Sequence, residues 1–181
     1  VSGLLEGAGR QGLARRWTVT PVGGSEKVPT FAALLGAQKG LTVATLIDFQ
    51  RKDQQSIENL YKRKLLHKKH VLTFAEFTGG GEADIEDMFD VPFYLKLVNG
   101  EFANDLAKKV AEQDVKTGSP RILVKLEAFF KDNPLKGAAQ FGHFRPARYF
   151  TENVATLKKA IPAAALDRFE AAFKKLNALL A

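Results

Sequence analysis

Hydrophobic positions fall into two regimes along this chain. Up to about Pro92 they come as short runs separated by polar or Gly-rich stretches; beyond it they recur at helical spacing. Trp17-Thr18-Val19-Thr20-Pro21-Val22 reads as a short β-branched strand closed by Gly23-Gly24. Ser25 can open a helix through Phe31, Leu34 and Leu35 to about Gln38, with Pro29 tolerable only in its first turn. Leu41 to Phe49 is nearly all apolar and predicts a central parallel strand covered on both faces. From Asp53 to Leu66, Ile57, Leu60, Tyr61 and Leu65 mark a helical stripe. His70 to Phe74 predicts a further strand, and Gly79-Gly80-Gly81 leads into a short acidic helix.

Strand–helix alternation of this kind implies a Rossmann-like α/β sheet. After Pro92 the periodicity predicts helices over roughly Phe93 to Phe102, Arg121 to Phe130 and Pro162 to the end. Asp132-Asn133-Pro134 and the stretch from Gly137 to Pro146 are expected as loops. The expected organisation is an α/β domain over residues 1–100 and a helical extension over 101–181. In the last helix Leu166, Phe169, Phe173, Leu176 and Leu180 form a stripe that docks on the domain core or makes a dimer seam.

The 181 residues suit one domain, or one domain with a helical appendage. Without cysteine there is no disulfide framework, thiolate zinc site or Cys nucleophile, which fits a reducing, cytoplasmic setting. No apolar run reaches the roughly 18 residues of a membrane span, and the start lacks the basic region of a signal peptide. A start at Val1 rather than Met is compatible with a processed product or a fragment and leaves the native start open. A formal charge of +7 favours a polyanionic partner.

Against that charge, Glu76 to Asp90 holds six acids (Glu76, Glu82, Asp84, Glu86, Asp87 and Asp90) and no Lys or Arg. Asp48 ends an apolar strand, at the edge where α/β sheets place ligands. Asp84 and Glu86 repel one another unless something positive lies between them. Together these carboxylates suit a hard cation such as Mg²⁺ or Mn²⁺; otherwise they cap turns and complement a helix dipole. Arg51 to His70 carries seven Lys/Arg against two acids, a net +5. Lys62, Arg63, Lys64, Lys68 and Lys69 could grip a nucleic-acid backbone, or simply form a solvated face. Lys27 after Gly23-Gly24, and Arg145 near His143, are further phosphate candidates. With three histidines in all, a His-based zinc site is not expected.

Trp17-Thr18-Val19-Thr20-Pro21-Val22-Gly23-Gly24, then Leu46-Ile47-Asp48-Phe49, then Ala83-Asp84-Ile85-Glu86-Asp87-Met88-Phe89 resemble successive blocks of a Toprim domain. Over about residues 4–100 the chain is similar to the Toprim nuclease region of OLD-family (overcoming lysogenization defect) ATP-dependent endonucleases. Such proteins join an ABC-type ATPase region to a C-terminal Toprim part that nicks or cuts DNA with divalent metal ions. The resemblance implies Asp48, Asp84 and Glu86 as catalytic metal ligands for Mg²⁺ or Mn²⁺, and Gly23-Gly24 as the tight turn after the second strand of the fold.

The family's first strand, with its Glu, has no counterpart here. Only ten residues separate Glu6 from Trp17, so Leu4-Leu5-Glu6-Gly7 reads as the end of a helix. Gln50 stands where the family has a second acid, and no Walker-type ATPase region is present. The expectation is an incomplete Toprim-like parallel sheet with a C-terminal helical extension, weak or inactive as a nuclease. The alternatives are a non-catalytic module docking on an ATPase partner, or a sequence-independent DNA-binding domain.

Overall fold

The structure is a computed structural model and describes residues 1–116, 118–137 and 139–180. In chain order its elements are α1 (Ser2–Gly7), α2 (Val28–Gly36), β1 (Thr45–Ile47), α3 (Gln54–Lys62), β2 (Val71–Thr73), α4 (Ala75–Thr78), α5 (Val91–Glu101), α6 (Ile122–Asp132), α7 (Phe144–Glu152), α8 (Val154–Leu157) and α9 (Ala163–Asn177). The chain is mixed α/β, with one two-stranded parallel sheet among the described residues. It divides into two compact units, Val1–Ile85 with Leu166–Ala181, and Glu86–Ala165.

In the first unit β1 and β2 pair in parallel, Thr45 opposite Val71 and Ile47 opposite Thr73, with α3 in the crossover between them. Parallel strands need such a connection, because no tight turn can join them. Ile57 and Leu60 of α3, and Leu72 and Phe74 at β2, are buried. The C-terminal helix closes this unit by burying Phe169, Ala172 and Leu176. Its polar face clasps the N-terminal segment. Arg10 pairs with Asp167 and Glu170 at 2.6 Å each, and the Asn177 side chain accepts from the Ala14 N–H and donates to the Gly12 carbonyl.

Three elements differ from expectation. Trp17 to Val22 forms no strand: Pro21 has no N–H to donate, no described segment pairs with it, and Val19 is 74% exposed. A β-branched run becomes a strand only when a neighbour supplies hydrogen bonds and cover. The apolar run Leu41 to Phe49 is strand only over Thr45–Ile47, and is half-buried there. With one paired neighbour, it is not the doubly covered central strand its composition suggested. Thirdly, α7 starts at Phe144, inside the expected loop; position 138 of that loop and position 181 of the last helix lie outside the described residues.

In the second unit α5 buries Phe93, Tyr94, Leu95, Leu97 and Val98, and is therefore apolar on most of its circumference. Asp90 caps it by accepting the Phe93 N–H at 3.0 Å, with Pro92 in its first turn. Gly100 lets α7 approach: a Cβ there would fall inside the Tyr149 ring. Phe102, Phe130 and Phe141 form a ring cluster, with Phe130 and Phe141 stacked at 4.8 Å.

Candidate functional site

Asp48 and Asp84, two of the carboxylates singled out in the sequence, are placed by one local device in the first unit. Just past β1, the Phe49 N–H donates to the Ala83 carbonyl at 2.8 Å, and the Ala83 N–H returns to the Phe49 carbonyl at 3.0 Å. Across this antiparallel bridge Asp48 and Asp84 are the next residues on the two segments. The turn at Gly79, in the left-handed region at φ 71°, lets the chain come back to this position. Asp48 is exposed at the carboxyl end of β1, while Asp84 is only 1% exposed. Asp48 Oδ1 accepts the Ile85 N–H at 3.0 Å, so one of its oxygens fixes the backbone beside Asp84.

Most of the other acids in the run hold backbone. Glu76 Oε1 accepts the Thr73 N–H and Glu82 Oε1 the Arg51 N–H. In the second unit Asp87 Oδ1 accepts the Ile122 N–H at the start of α6, and Asp90 caps α5. This is how orphan N–H groups at helix and turn starts are satisfied. Much of the acidity legible in the sequence is therefore capping chemistry. Glu86, the first residue of the second unit, is buried, with Oε1 3.1 Å from His143 Nδ1. His143 precedes α7 and is a neighbour of Glu86 that spacing did not reveal.

Carboxylates at a strand end, as Asp48 and Asp84 are, have the donor chemistry of a hard cation that keeps most of its water. Among the described residues no group of three or more His, Asp or Glu is arranged as a metal cage. Arg51 is the nearby cation. Its N–H is held by Glu82, and its guanidinium lies 3.8 Å from where a side chain on Gly81 would begin. The signal for it was its position three residues after Asp48, in the same strand-end loop.

The other basic candidates lie elsewhere. Lys62 ends α3 and pairs with Glu58, whose hydrogen bond raises the ammonium's pKa. Arg63 and Lys64 follow it, and Lys68 and Lys69 form a turn just before β2. These residues stand at the amino ends of the parallel strands, whereas Asp48 stands at the carboxyl end. From Val43 to Asp48 the extended chain covers on the order of 15 Å. Lys27 lies over Gly23, 3.4 Å from where a Cβ would sit, in the glycine turn before α2. Arg145, in the second unit, donates to Glu101 at 2.7 Å and lies 4.3 Å over the Phe102 ring. Arg148 reaches the same Glu101, so these arginines hold α7 to α5.

No protein-family model, curated protein or solved structure matches this chain.

Proposed function

We propose that the chain is the metal-dependent nuclease part of an OLD-family-like Toprim protein, weak or inactive as an isolated piece, with DNA as substrate. The observation that carries this reading is the Phe49–Ala83 bridge, which brings the segment of Asp48, at the carboxyl edge of a parallel strand, against the segment of buried Asp84. On this reading the half-buried β1–β2 pair with its α3 crossover is what remains of a Rossmann-like Toprim sheet. Asp48 and Asp84 would hold Mg²⁺ or Mn²⁺, with Glu86 the further ligand that the family resemblance implies. A bound ion there supplies Lewis-acid activation of water and of a phosphodiester.

The protein's own groups set the limits. Asp48 keeps one oxygen on the Ile85 N–H, Glu86 keeps one beside His143, and Gln50 adds no charge. Weak affinity follows. Arg51 is the residue placed to steady a phosphate at this edge. The test is calorimetric Mn²⁺ binding by the wild type and Asp84→Asn, followed by plasmid nicking. Binding lost in the variant, with slow nicking in the wild type, supports the reading. No binding in the wild type overturns it and leaves Asp48 and Asp84 as structural carboxylates.

A second reading is favoured by a separate observation. Val19, Phe31, Leu34 and Leu41 are exposed in the first unit, and α2 buries only Val28 and Ala32. A non-catalytic module docking on an ATPase partner, or pairing with a second copy, would use such surface. Size-exclusion mass measurement, alone and with a candidate ATPase, decides between a monomer and either assembly.

A further inference from the structure

At the amino ends of β1 and β2, on the edge opposite Asp48, the first unit contains an open groove of about 660 Å³. That is within the roughly 300–1,000 Å³ typical of small-ligand sites. Its walls combine Tyr61, Lys64, His67, Lys68 and His70 with apolar Leu41, and no Asp or Glu is among its described lining residues. The Lys68 ammonium sits 5.8 Å from the centre of the Tyr61 ring, and the His67 and His70 rings are 5.6 Å apart. His70 is fixed: its Nδ1–H donates to the Val43 carbonyl at 2.8 Å. Flat rings beside ammonium groups are what a nucleic-acid strand needs, a face for each base and a charge for each phosphate.

The backbone supplies an independent observation. Helix α3 ends with the Lys64 N–H bonded to the Tyr61 carbonyl and the Leu65 N–H to the Leu60 carbonyl. This is the Schellman termination, whose left-handed residue is usually glycine. Here that residue is Lys64, at φ 59°, the one non-glycine with positive φ among the described residues. A lysine at this position is strained, and residues strained in this way cluster at active sites and ligand clamps. Lys64 lines the groove.

We infer that this groove binds single-stranded DNA, stacking bases on Tyr61 and the imidazoles while Lys64 and Lys68 meet phosphates. It rests on the reading that the substrate is DNA, yet it does not need the metal. The role is holding, at an edge away from the carboxylates.

The test is fluorescence anisotropy of a labelled single-stranded oligonucleotide with the whole chain in EDTA, across a salt series, alongside urea unfolding. Lys64→Gly is expected to be at least as stable as wild type, because glycine is at ease in the left-handed region. It should bind more weakly, with its log–log salt slope reduced by about 0.7. Tyr61→Leu should lose about fivefold or more in affinity. Wild-type binding and slope in Lys64→Gly would overturn the inference, as would equal affinity for poly-glutamate, which carries charge but no bases. Because EDTA removes metal, oligonucleotide binding without Mn²⁺ affinity would sink the nuclease reading alone. Mn²⁺ affinity without oligonucleotide binding would sink this one alone.

Discussion

Both units bury an apolar core, but they build it and join its elements differently. The second buries aromatic and branched side chains on several sides of α5 and α6, with Phe102, Phe130 and Phe141 in ring contact. The first has a sheet of two short strands and leaves Val19, Phe31, Leu34 and Leu41 exposed. Its ends are joined by polar clasps from α9 to residues 10–16, including Arg10 to Glu170 and Asn177 to Gly12 and Ala14. Apolar burial contributes in proportion to area, whereas exposed ion pairs are worth little each. The functional candidates, Asp48 with Asp84 and the basic groove, both lie in the first unit.

If burial holds the second unit, Phe102→Ala should have the largest effect, since Phe102 is 0% exposed. The expected loss is about 3–5 kcal/mol in urea unfolding. A loss below about 1 kcal/mol would break the contrast. Gly100→Ala forces a methyl into the Tyr149 ring and should cost about 1–3 kcal/mol, with α5 and α7 moving apart. A variant as stable as wild type would show that the α5–α7 contact is loose.

In the first unit Lys64→Gly should change stability in the opposite direction. Relief of about 1–2 kcal/mol of left-handed strain, less about 0.5–1 kcal/mol of added chain entropy, leaves a gain of up to about 1.5 kcal/mol, read from the urea midpoint. A clear loss would mean that the lysine packs usefully in the folded unit.

The smallest expected effect is a pH dependence in the α9 clasp. Arg10's guanidinium, the Gln11 N–H and Lys174 hold the Glu170 carboxyl down to about 2 from an ordinary 4.5. A depressed folded-state value means that the stabilisation is present above about 4.5 and fades as pH falls toward about 2. Melting temperature in Glu170→Gln should therefore depend less on pH across that window than in wild type. Equal slopes would show that the clasp adds nothing.

Helices were the most legible part of the sequence. The 3–4 spacing of Ile57, Leu60, Phe169 and Leu176 places buried residues on one face, and that periodicity survives whatever the helix packs against. That Trp17 to Val22 forms no strand was not legible, because strand identity requires a partner that the local sequence does not specify. Helix α7 was hidden by Gly142 and Pro146, which read as loop punctuation although Pro146 is accommodated within its first turns. In the candidate site, Asp48 and Asp84 were visible as strand-end and post-turn acids. Their juxtaposition depends on the Phe49–Ala83 bridge, a contact between residues far apart in the chain.

Composition and periodicity alone thus settle the helices with a clear 3–4 stripe, such as α3, α5, α6 and α9, the net charge, the absence of thiol chemistry and the identity of the acidic and basic residues, since these are local or additive properties. Which acids cap backbone, which pair sits together, and on which edge of the sheet the lysines gather depend on contacts distant in sequence. A run of carboxylates has the same composition whether its oxygens meet N–H groups or a cation, and only the path of the chain in space distinguishes the two.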